Sequence, residues 1–172
     1  ASTTKAMTAA CLGMLVDEGK LRWDDPVQQH LPEFQLYDPA VTREIRVRDL
    51  LIHDTGVGNA DFLWTIMQVS SDEVLRRMRY VKPSYSLRSG FIYQNIMYLA
   101  AGKVIEKVSR QPWATFIRQR IFEPLGMTRT RALFRDVTDP NRALPHVAVH
   151  DTVRWVNSRV EEGTVDVVGP AG

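Results

Sequence analysis

Ala1-Ser2-Thr3-Thr4-Lys5 opens the chain and runs straight into an apolar stretch over residues 6–16. Ser2 and Lys5 are three apart, so a helix begun here sets them on one face, one turn from each other. Ser2 then lies where free backbone N–H groups and the positive end of the helix dipole favour developing negative charge. A serine with an amine one turn on and N–H donors beside it has the setting of a nucleophile. The motif is short and made of common residue types, so its reading depends on what surrounds it.

Working outward, residues 6–16 carry Met7, Ala9, Ala10, Cys11, Leu12, Met14, Leu15 and Val16. A helix this apolar in every direction is expected to be buried in every direction, and Gly19 is its stop. Asp24-Asp25-Pro26 reads as a helix or turn start rather than a carboxylate pair. Ile45 and Val47 suit a short extended entry, after which Val47, Leu50 and Leu51 fall at helical spacing, closed by Thr55-Gly56. Ser70 with Glu73 three residues on predicts a capping box and a helix through Val74, Leu75 and Met78.

A polar loop over residues 82–90 follows, and then the most regular pattern in the chain. Ile96, Leu99, Ala100, Val104 and Val108 predict one helical stripe over 93–108. Pro112 starts another helix carrying Trp113 (core), Phe116, Ile117 and Ile121, which Pro124 ends. Beyond Met127 the helical pattern fades; residues 146–156 alternate around Asp151-Thr152 as a hairpin does, and the remainder reads as loop.

Composition narrows the function. At 172 residues, 44% hydrophobic and 24% charged, the chain suits one globular domain with a real core. A net charge of +2, with Lys and Arg dispersed, argues against a nucleic-acid partner. No apolar run reaches the length of a membrane span. The single cysteine, Cys11, excludes an internal disulfide and a cysteine-rich zinc site, and reads as a buried small hydrophobe. His30, His53, His146 and His150 are scattered, with no metal-ligand spacing. His53, beside Asp54 at a helix end, reads as a structural hydrogen-bonding residue. The start without methionine and the turn-like Val168-Gly169-Pro170-Ala171-Gly172, which closes nothing in sequence, suggest a piece of a longer protein.

A second polar cluster, Tyr93-Gln94-Asn95, stands at the mouth of the stripe-bearing helix. A tyrosine hydroxyl near a cationic lysine has its anion favoured and can pass protons. An asparagine offers a donor and an acceptor for a substrate amide. Read alone, the pair fits a buried tyrosine and a helix-capping asparagine better than a site.

Together the blocks are more specific. Ser2-Thr3-Thr4-Lys5 is followed by Leu15-Val16-Asp17-Glu18-Gly19-Lys20-Leu21, Asp24-Asp25-Pro26-Val27 and Leu31-Pro32-Glu33-Phe34. Val47-Arg48-Asp49-Leu50-Leu51-Ile52-His53-Asp54-Thr55-Gly56, Phe91-Ile92-Tyr93-Gln94-Asn95 and Ile121-Phe122-Glu123-Pro124-Leu125-Gly126-Met127 come after. In this order the chain resembles the class C β-lactamase-like serine hydrolases, which include β-lactamases, D-alanyl-D-alanine peptidases and related esterases. The stretch from Ala143 to the end also looks like a branch of that family described only as serine hydrolases.

The resemblance implies a β-lactamase/transpeptidase-like α/β sandwich for the whole protein. Residues 1–172 would form a partial domain, the catalytic helix plus a mainly helical subdomain with a few short strands. It also implies roles. Ser2 attacks a carbonyl to form an acyl-enzyme, Lys5 assists its deprotonation, Tyr93 serves as partner base and acid, and Asn95 orients the acyl amide. The Ser2 N–H supplies half of an oxyanion hole. The substrate is a small molecule or peptide with an ester, amide or β-lactam carbonyl, no cofactor or metal is required, and the location is periplasmic or secreted. A catalytically silent homologue that binds peptide or cell-wall fragments is the alternative.

Two departures stand out. The family's third motif, Lys-Thr-Gly or His-x-Gly, occurs nowhere in the sequence, and the strands expected before Ser2 are missing. The segment alone is therefore expected to be inactive and poorly stable. Arg110 stands where the family commonly has glycine, and a left-handed helix end there costs roughly 1 kcal/mol.

Overall fold

The computed structural model describes residues 2–67, 69–143, 146–155 and 165–172. The loop expected after residue 155, apart from its last eight residues, lies outside them, as do Ala1 and residues 144–145. Helix α1 (Thr4–Asp17) packs against the central helix α6 (Asn95–Ser109), and both contact a final turn at Gly169–Ala171. Short helices α2 (Val27–His30), α3 (Pro39–Glu44), α4 (Phe62–Thr65) and α5 (Ser71–Arg77) stand between the two in sequence. Helix α7 (Trp113–Ile117) follows α6, and β1 (His146–Val149) pairs antiparallel with β2 (Thr152–Trp155). Pairing of Val149 with Thr152 puts the hairpin turn at His150-Asp151, one residue before the Asp151-Thr152 centre read from the sequence.

The ends of α1 follow from its residues. Gly19, at φ +68°, lets its own N–H reach the Val16 carbonyl and the Lys20 N–H reach that of Leu15, a complete Schellman closure. Cys11, Leu12 and Leu15 are fully buried, and burial pushes the Cys11 thiol up to about 12, with Arg120 opposing, so the thiol stays inert. The expectation of burial on all sides is corrected: Ala6 and Ala10 are exposed and Met7, Ala9, Gly13 and Met14 only half covered. Burial of α1 is thus incomplete along the line of Ala6 and Ala10.

Other sequence readings hold or shift for identifiable reasons. Asp24-Asp25-Pro26 does form the turn that leads into α2; Asp25 is buried and accepts from the Arg22 backbone N–H (2.8 Å), Arg22 Nε (3.0 Å) and His30 Nε2 (3.0 Å), tying that turn. Ser70 caps α5 by accepting from the Glu73 N–H, but Glu73 turns instead to Arg76 and Arg77, so only half of the capping box forms. The segment after Pro112 is helical only to Ile117 and then widens into a π-helical turn at Arg118–Phe122. Trp113 is core, and Arg110 ends α6 left-handed at φ +59°. The turn-like last residues, which close nothing in sequence, pack against both α1 and α6.

The central helix begins at Asn95 rather than Tyr93. Gln94 is extended (φ −133°, ψ +113°) because its backbone N–H donates to His53 Nδ1 and its side chain donates to the carbonyls of Val57 and Gly58. Its fully buried amide fixes the segment that presents Tyr93.

Candidate active site

Ser2 is exposed at the N-terminal end of α1, and Lys5, one turn on, is almost fully buried at 6% exposure. Lys5 Nζ donates to Ser2 Oγ (3.1 Å), to Asn95 Oδ1 (2.7 Å) and to the Ala171 carbonyl (2.7 Å). An ammonium has three N–H donors, and here each has an acceptor. The charge is also held 4.7 Å from the Tyr93 ring centroid and 5.3 Å from that of Tyr98. Burying a cation is costly unless it is paired or fully hydrogen-bonded, and this environment meets that condition.

Tyr93 Oη lies 2.6 Å from Ser2 Oγ. Burial opposes its ionisation. The Lys5 and Ser2 side chains beside the hydroxyl and the Lys5 charge outweigh burial and the Asp61 charge, so its pKa falls below the ordinary value of about 10. All four residues singled out in the sequence, Ser2, Lys5, Tyr93 and Asn95, thus meet at one place. Among the described residues no group of acidic, histidine and cysteine side chains could hold a metal ion, and no helix is long and apolar enough to cross a membrane.

Three further contributors were not singled out in the sequence. Asp61 Oδ2 accepts from Asn95 Nδ2 (3.0 Å) while its Oδ1 accepts from Trp64 Nε1 (2.9 Å), fixing which way the Asn95 amide faces. The Ala171 carbonyl gives Lys5 its third acceptor, and the Pro170 carbonyl accepts from Thr8 Oγ1 at 2.8 Å. Gly102 on α6 makes room for that final turn: a Cβ there would sit 2.2 Å from Pro170 Cγ. The glycine in the middle of the helical stripe was the one sequence signal for this approach.

The family model described as Beta-lactamase matches residues 1–165. The chain belongs to the beta-lactamase family. A relative, unguisins hydrolase of Aspergillus violaceofuscus, is 31% identical over 144 residues, covering 78% of this chain and 25% of the relative. Penicillin-binding protein 4 of Amycolatopsis lactamdurans is 29% identical over 150 residues, covering 85% of this chain and 39% of its own length. The octameric penicillin-binding protein homologue of Pyrococcus abyssi superposes with a TM-score of 0.77 at 27% identity, covering 91% of this chain and 37% of that one. This beta-lactamase-family chain therefore spans well under half the length of these relatives.

The Gly102 packing gives a direct test. Gly102→Ala is expected to push the Pro170 ring and its turn off α6, costing about 1–3 kcal/mol of stability. It also takes the Ala171 carbonyl away from Lys5. Urea denaturation should show the lowered midpoint, and the rate of covalent modification at Ser2 should fall with it.

Proposed function

We propose that this chain supplies the nucleophile side of a serine hydrolase that works through an acyl-enzyme. The observation that carries the reading is the position of Ser2 Oγ, 3.1 Å from Lys5 Nζ and 2.6 Å from Tyr93 Oη. Lys5, with all three N–H groups engaged, acts as a cation rather than as a base. It donates to Ser2 Oγ and lowers the cost of a Tyr93 phenolate. The Ser2 proton passes to Tyr93 Oη as Oγ forms its bond to the substrate carbonyl carbon. The carbonyl oxygen takes the negative charge beside the Ser2 backbone N–H. When the tetrahedral species collapses, Tyr93 returns the proton to the leaving nitrogen or oxygen, which departs neutral. Tyr93 then takes a proton from water as the water attacks the ester on Ser2, and hands that proton back to Ser2 Oγ on release of the acid.

Asn95 has one amide N–H left after its bond to Asp61, and this would hold the carbonyl of the substrate's acyl amide. The substrate class is an ester, an amide including D-Ala-D-Ala-type peptides, or a β-lactam. The resemblance to a branch described only as serine hydrolases favours an esterase or peptidase over a dedicated β-lactamase. An extracytoplasmic location is supported by the penicillin-binding relatives.

Intact-mass measurement of the complete protein after a fluorophosphonate, and separately after a penicillin, tests the reading. One adduct per chain is expected with the fluorophosphonate, mapping by peptide digestion to Ser2 and absent from Ser2→Ala. Its absence from folded protein, or its persistence in Ser2→Ala, would overturn the assignment. The penicillin arm separates a penicillin-recognising site from a plain esterase.

A further inference from the structure

His53 brackets Tyr93. Its carbonyl accepts the Ile92 N–H at 3.0 Å, and its Nδ1 accepts the Gln94 N–H at 3.1 Å, so one residue bonds the backbone on both sides of the tyrosine. Its ring lies against the Tyr93 ring, centroids 4.5 Å apart and planes at 35°, with Phe91 edge-on at 5.5 Å. His53 holds a left-handed backbone conformation, φ +63°, to reach both partners. For a non-glycine residue this is an unfavourable region, retained where the surrounding contacts enforce it.

We propose that His53, as a neutral imidazole, is the positioning residue that sets Tyr93 against Ser2, and that its protonation in acid releases Tyr93 and silences the site. The proposal rests on the acyl-enzyme reading above. Its chemistry follows from the two ring nitrogens. Nδ1 can accept from Gln94 only while it carries no proton, which puts the ring proton on Nε2. A second proton turns Nδ1 into a donor facing the Gln94 donor, and both cannot keep their places.

The groups around the ring decide when this happens. Lys5 approaches from α1, Tyr98 from α6 and Tyr93 from the bracketed segment, while the Tyr85 hydroxyl reaches the His53 carbonyl. Asp54 follows in sequence, with Asp49 and Arg88 beyond it. Burial raises the Asp54 pKa, Asp49 adds to this and Arg88 opposes. Burial first, and then the Lys5 charge, hold His53 below its ordinary value. The imidazole is therefore held neutral at neutral pH, and its protonation is moved to lower pH than that of an ordinary imidazole.

The acylation rate of Ser2, followed against pH in the complete protein, is the test. In the wild type the logarithm of the rate should fall with slope one as Tyr93 protonates, and with slope two below the His53 pKa. The break should coincide with the imidazole titration followed by NMR, whose nitrogen shifts should show the Nε2–H tautomer above it. His53→Asn keeps an acceptor and tolerates the left-handed backbone; it should restore most of the rate and fall with slope one throughout. His53→Ala should acylate about 100-fold more slowly above the His53 pKa, as expected for a displaced reacting group, with the gap to wild type narrowing below it. A break that persists in His53→Asn, an Nδ1–H tautomer, or wild-type rates in His53→Ala would overturn the proposal. If wild-type protein gave no Ser2 adduct, the hydrolase reading would fall with it; an adduct with an unchanged profile would remove only the role of His53.

Discussion

Tyr93→Phe is expected to slow acylation of Ser2 by about 10²–10⁴-fold, the range for loss of a positioned general base, with little change in KM. The substitution removes one oxygen and keeps the ring, so the packing on His53 and the contact with Lys5 persist. What disappears is the hydroxyl 2.6 Å from Ser2 Oγ. Lys5 does not replace it, because its three N–H groups already point at Ser2, Asn95 and Ala171. The loss should fall on kcat, since the missing interaction forms with the reacting proton rather than with bound substrate. The pH dependence supplies a second signature. Wild-type activity should rise with pH through the Tyr93 pKa, which lies below the ordinary tyrosine value, and that rise should vanish in the variant. Stopped-flow acylation across pH checks both; a Tyr93→Phe protein with wild-type rates would assign the base elsewhere.

Arg88→Met should destabilise the fold by about 1–3 kcal/mol, the cost of leaving the buried Asp49 carboxylate without its solvent-exposed partner. Asp49 is buried to 1% exposure and accepts from Arg88 Nε (3.1 Å) and Nη2 (2.7 Å) in a bidentate pair, as well as from the Arg46 N–H (2.7 Å). With the guanidinium gone, one backbone N–H remains to solvate a buried carboxylate. Arg88 also bonds the Asp54 carbonyl through its own N–H (2.8 Å) and holds φ +61°. It therefore ties the loop before Tyr93 to the segment that carries His53. Urea denaturation of Arg88→Met beside Arg88→Met/Asp49→Leu gives the check. The double variant should recover part of the loss, because no charge is left unpaired.

How much of this was legible in the sequence depended on distance along the chain. Ser2 and Lys5 lie within one helical turn, so their meeting follows from helix geometry alone. Tyr93 and Asn95 are neighbours, and only their resemblance to a family pattern connected them to Ser2; spacing could not. Asp61, His53 and Ala171 bond their partners across 34, 41 and 166 residues. Such pairings are tertiary, and no period or propensity reports them. The helix start misplaced to Tyr93 has the same origin. Local pattern continues the stripe, but the His53 imidazole and the Val57 and Gly58 carbonyls pull Gln94 out of it. The expectation that α1 is covered on every side also failed, since apolar content states what a helix can bury and not what is there to bury it.

The bond from Lys5 to Ala171 has a consequence in time. Ribosomes add roughly 5–20 residues per second, so Ser2 and Lys5 leave the exit tunnel about 8–35 s before the carbonyl that completes the lysine's hydrogen bonds. During that interval the nucleophile pair exists without its final support. A nascent chain in this state should be slow to react with an acylating compound, and reactivity should switch on only when the last turn closes over Gly102.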